Sequence, residues 1–277
     1  MAFFNDDVTG FILSIQDICK KFLGFIIISN FIIIFALQLQ IRIKAKIKAM
    51  FDIKELNENS INSTKTVLII TAHPDDEIMF LSPTLKQLST LNIKKKILCM
   101  STGNYDGIGH IRKQEFNDVS KALHMEDNKI IDHPDLQDNL KKRWNEKIVA
   151  EQIKNYINEN KDIGTIITFD EKGVTKHPNH MSVYAGLEEY IKSNRKEIKD
   201  KNINIYLLDS FSPIKQYTNI IPFLSMFFKE FGYFDWNCLY SWKHMKIYKS
   251  QFNFPRRMHV IFSGYSYSNS FTKVEVN

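Results

Sequence analysis

Apolar positions along this chain fall in short unbroken runs, and the stretches between them carry helical spacing. Residues 66–71, 96–101, 129–132, 165–170 and 203–208 read as strands. Phe116, Val119 and Leu123 form a helical stripe, and residues 144–157 give a second amphipathic helix. Ser82 followed by Pro83 reads as an N-cap and first-turn proline that open another helix. Strands alternating with helices predict an α/β domain, a Rossmann-like parallel sheet with helices on both faces. No internal repeat is present.

The amino-terminal pattern differs. Residues 22–37, FLGFIIISNFIIIFAL, carry no charge, and the neutral stretch reaches Ile41. That is close to the roughly 17–25 residues a helix needs to cross a bilayer. A cleaved signal peptide is the competing reading, but no small-residue cleavage pattern follows the run, and Arg42, Lys44, Lys46 and Lys48 follow it at once. The expected organisation is a tail over 1–21, a transmembrane anchor over 22–41, a basic juxtamembrane linker over 42–65 and a catalytic domain over 66–277. The cations after the anchor outnumber Lys20 and Lys21 before it, which puts the domain on the cytosolic side. Residues 220–242 are rich in aromatics and suit either additional core or a membrane-interface surface; Glu230 and Asp235 argue against a second crossing.

Composition adds two constraints. A formal charge of +6 and a pI near 9.0 point to an anionic partner. Membrane surface and phosphorylated ligand rank ahead of nucleic acid, for which no signature is present. Cys19, Cys99 and Cys238 are odd in number and scattered, which suggests neither a disulfide framework nor a thiolate metal site.

In parallel sheets ligands bind beyond the carboxyl ends of the strands. The polar clusters of this chain fall there: HPDDE after the first strand, TGNYDGIGHIR after the second, HPDLQD after the third and EKGVTKHPNH after the fourth. His73, Asp75 and Asp76 bring one nitrogen and two oxygen donors to a strand end, and a hydrolytic zinc site takes three protein ligands. A third donor comes from KHPNH, where Pro178 suits the first turn of a helix and places His177 just outside that turn and His180 inside it. Asp75, Asp76 and Glu77 also suit a simple helix-capping role, and the two histidines a surface one. Their coincidence on one rim favours a metal site. The iron triad of non-haem oxygenases uses similar donors, but usually on an all-β barrel. His133 lacks the second aspartate of HPDDE and has at most a loop or substrate-facing role. Arg112 is either a helix-face arginine paired with Glu115 or a clamp for substrate phosphate or hydroxyls. Asp106 and Asp170 are candidates for orienting site groups.

These segments, together with YKSQ and IFSGYSYSNSF near the end, resemble the zinc-dependent de-N-acetylases of the PIG-L type over residues 66–271. The resemblance implies His73, Asp76 and His180 as zinc ligands, with iron(II) as an alternative metal. It also implies Asp75 as general base, His177 as an electrophilic or acidic partner and Arg112 as a substrate-binding residue. The expected substrate is membrane-held N-acetylglucosaminyl-phosphatidylinositol, and the expected place is the endoplasmic reticulum membrane with the domain facing the cytosol. Lys215-Gln216-Tyr217 departs from the arginine-lysine-tyrosine of the mammalian-type members. Two alternatives stand beside this one: a deacetylase of a soluble N-acetylglucosaminide or thiol conjugate, and a non-catalytic membrane adaptor.

Overall fold

The computed structural model describes residues 66–217, 231–235 and 237–276. The expected anchor, tail and linker lie outside these residues, as do residues 218–230 of the aromatic stretch. No helix among the described residues is long and apolar enough to cross a membrane.

Five strands form the parallel part of the sheet: β1 Thr66–Thr71, β2 Lys95–Cys99, β3 Asp127–Ile130, β4 Ile163–Phe169 and β5 Asn204–Leu208. Their spatial order is β3-β2-β1-β4-β5. β1 and β4 are buried at every position, and covering on both faces is why they read as continuous apolar runs. The chain moves outward from β1 to β2 and β3, then returns to the other side of β1 with β4. That reversal opens a crevice between the carboxyl ends of β1 and β4.

The sheet is mixed rather than wholly parallel. β7 Ser268–Lys273 lies antiparallel to β5, and β6 Phe231–Phe234 lies antiparallel to β7 at the edge. β7 reads SNSFTK and carries no apolar run, because Asn269 is buried by hydrogen bonding rather than by hydrophobic transfer. Part of the aromatic stretch is therefore an edge strand of the sheet.

Helices cover both faces. Besides the single turn Gly173–Lys176, they are α1 Asp76–Thr90, α2 Gly109–Ala122, α3 Glu146–Glu159, α4 Pro178–Asp200, the one-turn α5 Pro213–Gln216, α6 Leu239–Met245 and α7 Phe254–Phe262. α1 corrects the expectation for Ser82 and Pro83: it begins at Asp76 and runs through the proline. A mid-helix proline costs about 3 kcal/mol because it lacks an N–H and crowds the preceding turn. Here the carbonyls freed around the proline find partners in the carboxyl-terminal segment. Met79 O faces His259 Nε2 at 3.1 Å, Phe80 O accepts from Asn269 Nδ2 at 2.7 Å, and Asn269 Oδ1 takes the Thr84 N–H at 3.2 Å.

α3 and α4 pack closely at Gly186, where an added Cβ would lie 2.3 Å from Val149 Cγ1. Gly186→Ala is expected to push the helices apart and destabilise the domain by about 1–3 kcal/mol. A thermal melt followed by circular dichroism checks this; an unchanged midpoint contradicts the packing.

Candidate metal centre

β1 ends at Thr71 and α1 starts at Asp76, so His73, Pro74 and Asp75 make the turn between them. Asp75 sits in the left-handed region, with φ 101°, a strained conformation for a non-glycine residue that costs on the order of 1–3 kcal/mol. Two guanidinium groups hold it there. Arg112 Nη2 donates to Asp75 Oδ1 at 3.1 Å, and Arg256 Nε donates to Oδ2 at 2.7 Å. Arg112 also donates to Pro74 O and Gly103 O. Gly103 has φ 65°, and a Cβ there would fall 2.5 Å from the guanidinium carbon, so the loop after β2 needs glycine at this point.

Asp76 turns the other way. Its Oδ2 accepts from the backbone N–H of Ala72 and His73, at 3.1 and 2.8 Å, and its Oδ1 faces His180 Nε2 at 3.2 Å. His177 caps α4, Pro178 occupies the first turn, and His180 follows inside it, as the spacing predicts. His180 Nε2 lies 3.3 Å from His73 Nδ1, and His73 Nδ1 lies 3.6 Å from Asp76 Oδ2. Two donors about 2.0–2.1 Å from a tetrahedral zinc ion stand about 3.4 Å apart, so this donor set fits such an ion.

The outer ring nitrogens strengthen that fit. His180 Nδ1 faces Gly173 O at 3.2 Å. His73 Nε2 faces Asp138 Oδ1 at 3.2 Å and Asn179 Oδ1 at 3.1 Å. All three are acceptors, so in the neutral rings the outer nitrogen carries the proton and the inner lone pairs point at each other. Two lone pairs at that distance repel unless a proton or a cation lies between them. Orientation of a ligating histidine by a carboxylate or carbonyl is the usual outer arrangement of such sites.

The electrostatics agree. Burial alone would lower the pKa of His73, but the hydrogen bonds and charges of Asp138 and Asp76 outweigh it and raise the group to about 10. Burial would raise Asp76, yet His180 and His73 hold it well below the ordinary carboxylate range. A proton and a cation therefore compete for the same inner lone pairs, and binding the cation releases the proton. Affinity for zinc is expected to rise about tenfold per pH unit for each proton displaced, between about pH 6 and 8. Competition against a chromophoric chelator measures it, and a pH-independent affinity would contradict the arrangement.

His177 lies beside this set, its ring centroid 4.8 Å from that of His73 and 5.0 Å from that of His180. The donor atoms of the three histidines all fall within 4.8 Å of one another, so a three-histidine set is the alternative to one including Asp76. The shorter separations favour Asp76. Burial, followed by the charges of His73 and His180, lowers His177 to about 4, which leaves it neutral at neutral pH. Its Nδ1 accepts the Asn179 N–H at 3.2 Å, so the ring proton resides on Nε2.

The structure thus brings together His73, Asp76, His177 and His180, with Asp75 and Arg112 alongside. Arg112 is buried and pairs with Asp75 and, at 3.7 Å, with Asp138; it is not the helix-face partner of Glu115, which accepts from Ser250 instead. His133 belongs to its own turn, accepting from the Asp135 N–H. Asp106 is exposed, and Asp170 orders the loop leading to Gly173 by accepting from Ser210 and Gly173. Reading the sequence missed Asp138, Asn179 and Arg256. Asp138 and Asn179 lie within the rim motifs and had a positional signal; Arg256 had none.

Fold and cluster together define an α/β protein with a histidine–carboxylate centre at the carboxyl edge of its sheet. The chain belongs to the N-acetylglucosaminyl-phosphatidylinositol de-N-acetylase, or PIG-L, family. The family profile, GlcNAc-PI de-N-acetylase, matches residues 68–191. A Dictyostelium discoideum protein named probable N-acetylglucosaminyl-phosphatidylinositol de-N-acetylase is 31% identical over 255 residues, covering 79% of this chain and 98% of its own length. A Schizosaccharomyces pombe protein of the same name is 31% identical over 172 residues, covering 60% of this chain and 66% of its own. Among solved structures, N,N'-diacetylchitobiose deacetylase from Pyrococcus horikoshii shares the fold, with a TM-score of 0.53 and 15% identity over 84% of this chain and 92% of its own.

Proposed function

We propose that this protein hydrolyses the acetamide of N-acetylglucosaminyl-phosphatidylinositol, releasing acetate and a free glucosamine amine, with a divalent cation at His73, Asp76 and His180 and zinc as the first candidate. The observation that carries this reading is the pair of inward-facing imidazole nitrogens, 3.3 Å apart, supplied with a carboxylate by two loops far apart in sequence. The names of the relatives supply the substrate. A cation held there contributes a water of lowered pKa and an electrophile for the amide carbonyl.

The side chains account for the rest of the reaction. Asp75 takes the proton of the attacking water and later delivers it to the departing amine. Arg112 and Arg256 fix its carboxylate, which restricts the base to one orientation. His177, neutral with its proton on Nε2, donates to the oxygen that gains negative charge as the amide carbon becomes tetrahedral. Arg112, buried, and Asp138, half-buried, are a donor and an acceptor beside the cluster and suit the polar groups of the sugar.

The uncharged segment over 22–41 supports an anchor in the endoplasmic reticulum membrane with the domain on the cytosolic side, which keeps enzyme and lipid on one surface. Elemental analysis of the purified full chain, beside acetate release from the glycolipid with and without chelator, tests the reading. Bound metal with chelator-sensitive release is expected. Protein that remains inactive after zinc is supplied would overturn it, and equal turnover of soluble N-acetylglucosaminides would move the assignment to a soluble-sugar deacetylase.

A further inference from the structure

Exposed large apolar side chains are not spread evenly over this domain. Among the described residues there are eight: Leu239 and Phe262, and six on the rim that carries the metal centre. Tyr105 and Ile111 lie on the loop after β2 and the start of α2, Leu140 on the loop after β3, and Ile214 and Tyr217 on and after α5, beyond β5. Phe254, 71% exposed, opens α7 two residues before Arg256, whose bond to Asp75 ties that end of the helix to the centre. The turns entering the strands at the other edge of the parallel sheet, 91–94, 123–126, 160–162 and 201–203, contribute none of the eight. Exposed apolar residues scattered singly need no explanation, but their gathering on the one rim that carries the site does.

Charge on the rim favours one kind of partner. Leu140 is followed directly by three exposed cations, Lys141, Lys142 and Arg143, and exposed Arg257 lies three residues after Phe254. Lys172, Lys176 and Lys215 are exposed after β4 and β5; the exposed acids Asp106, Asp132, Asp135, Glu146 and Glu171 share the rim and are outnumbered by these and the four preceding cations. Apolar side chains interleaved with cations suit the boundary of an anionic bilayer, where the former enter the acyl region and the latter meet headgroups.

We propose that the rim around the metal centre is a bilayer-docking surface: Tyr105, Ile111, Leu140 and Phe254 insert into an anionic membrane leaflet and bring the mouth of the site down onto headgroups still held in the lipid. This deepens the glycolipid reading and rests on it. Docking is a separate contact from the expected anchor over 22–41, since an anchor alone limits distance to the membrane but leaves the mouth unoriented.

The test uses the full chain reconstituted in bilayers containing phosphatidylinositol, with Ile111→Ser, Leu140→Ser and Phe254→Ser combined. Acetate release is measured on long-chain N-acetylglucosaminyl-phosphatidylinositol in the bilayer and on a short-chain, water-soluble form of the same compound. Release from the bilayer substrate is expected to fall about tenfold or more while release from the soluble form is unchanged. Unchanged release from both overturns docking. Independently of turnover, lipids brominated in the acyl chains should quench the indole emission that Phe254→Trp adds over the parent's Trp144, Trp236 and Trp242, whereas the emission added by Leu239→Trp should not be quenched. An unquenched indole in the Phe254→Trp protein sinks the proposal even in an active enzyme. A quenched one sustains it even where the parent proves inactive on both substrates, an outcome that removes the glycolipid reading alone.

Discussion

His180→Ala is expected to remove bound metal and acetate release together. In the proposed set His180 supplies one of three donors, and its Nε2 is within 3.3 Å of both His73 and Asp76, so its loss opens the side of the site where the two loops meet. Replacing an outer partner of a ligand typically costs 10–100-fold in metal affinity, and removing a ligand itself should cost more than about 100-fold. Asp138→Asn provides that milder comparison, because Asp138 contacts the outer nitrogen of His73 and none of the inner donor atoms. His180 also stacks on Phe169, with ring centroids 4.5 Å apart, so alanine leaves a cavity as well as a missing ligand. His180→Gln keeps much of that volume and separates the two effects. Metal content by mass spectrometry and acetate release are measured on all three variants. A folded His180→Gln protein with full metal and full activity would place the cation elsewhere.

How far the sequence discloses this centre is clearest in three consecutive acids. Asp75, Asp76 and Glu77 look alike in HPDDE, and their chemistry does not separate them. The fold sends them to three environments: Asp75 to two arginines, Asp76 to two histidines, and Glu77 inward to Tyr248, whose hydroxyl donates to it at 2.6 Å. Burial, with the nearby charges of Asp75 and Asp76, raises Glu77 to about 8 even against that hydrogen bond. Adjacent residues at a strand-to-helix turn diverge in direction, and their partners are decided by packing.

Local order was accordingly the legible part. β1 falls where its apolar run ends, and His177, Pro178 and His180 take the cap and first-turn positions their spacing specifies. What escaped rests on distant pairing. Tyr248 and Arg256 meet the first loop across 171 and 181 residues of chain. β7 buries Ser268, Asn269 and Ser270 beside a single apolar residue, Phe271, which leaves no hydrophobic run. Pro83 signals a helix start by local rules, and only the carbonyl contacts of His259 and Asn269, from the far end of the chain, explain why the helix passes through it.

Asp75→Asn is expected to keep its metal and lose turnover by about 10²–10⁴-fold, the usual contribution of a positioned general base. Asparagine is close in size and, unlike most residues, visits the left-handed backbone region, so the strained turn at φ 101° survives the substitution. The amide oxygen can still accept from one guanidinium, while the amide nitrogen faces the other and cannot. Local repulsion is therefore confined to one of the two arginine contacts, and the donors on His73, Asp76 and His180 remain in place. On the proposed mechanism, what the variant lacks is a group able to hold the proton of the attacking water until the amine leaves. Measuring metal content beside kcat on the glycolipid separates the possibilities. Loss of metal would make Asp75 part of the coordinating set, and retained metal with retained turnover would mean that the proton passes through another group.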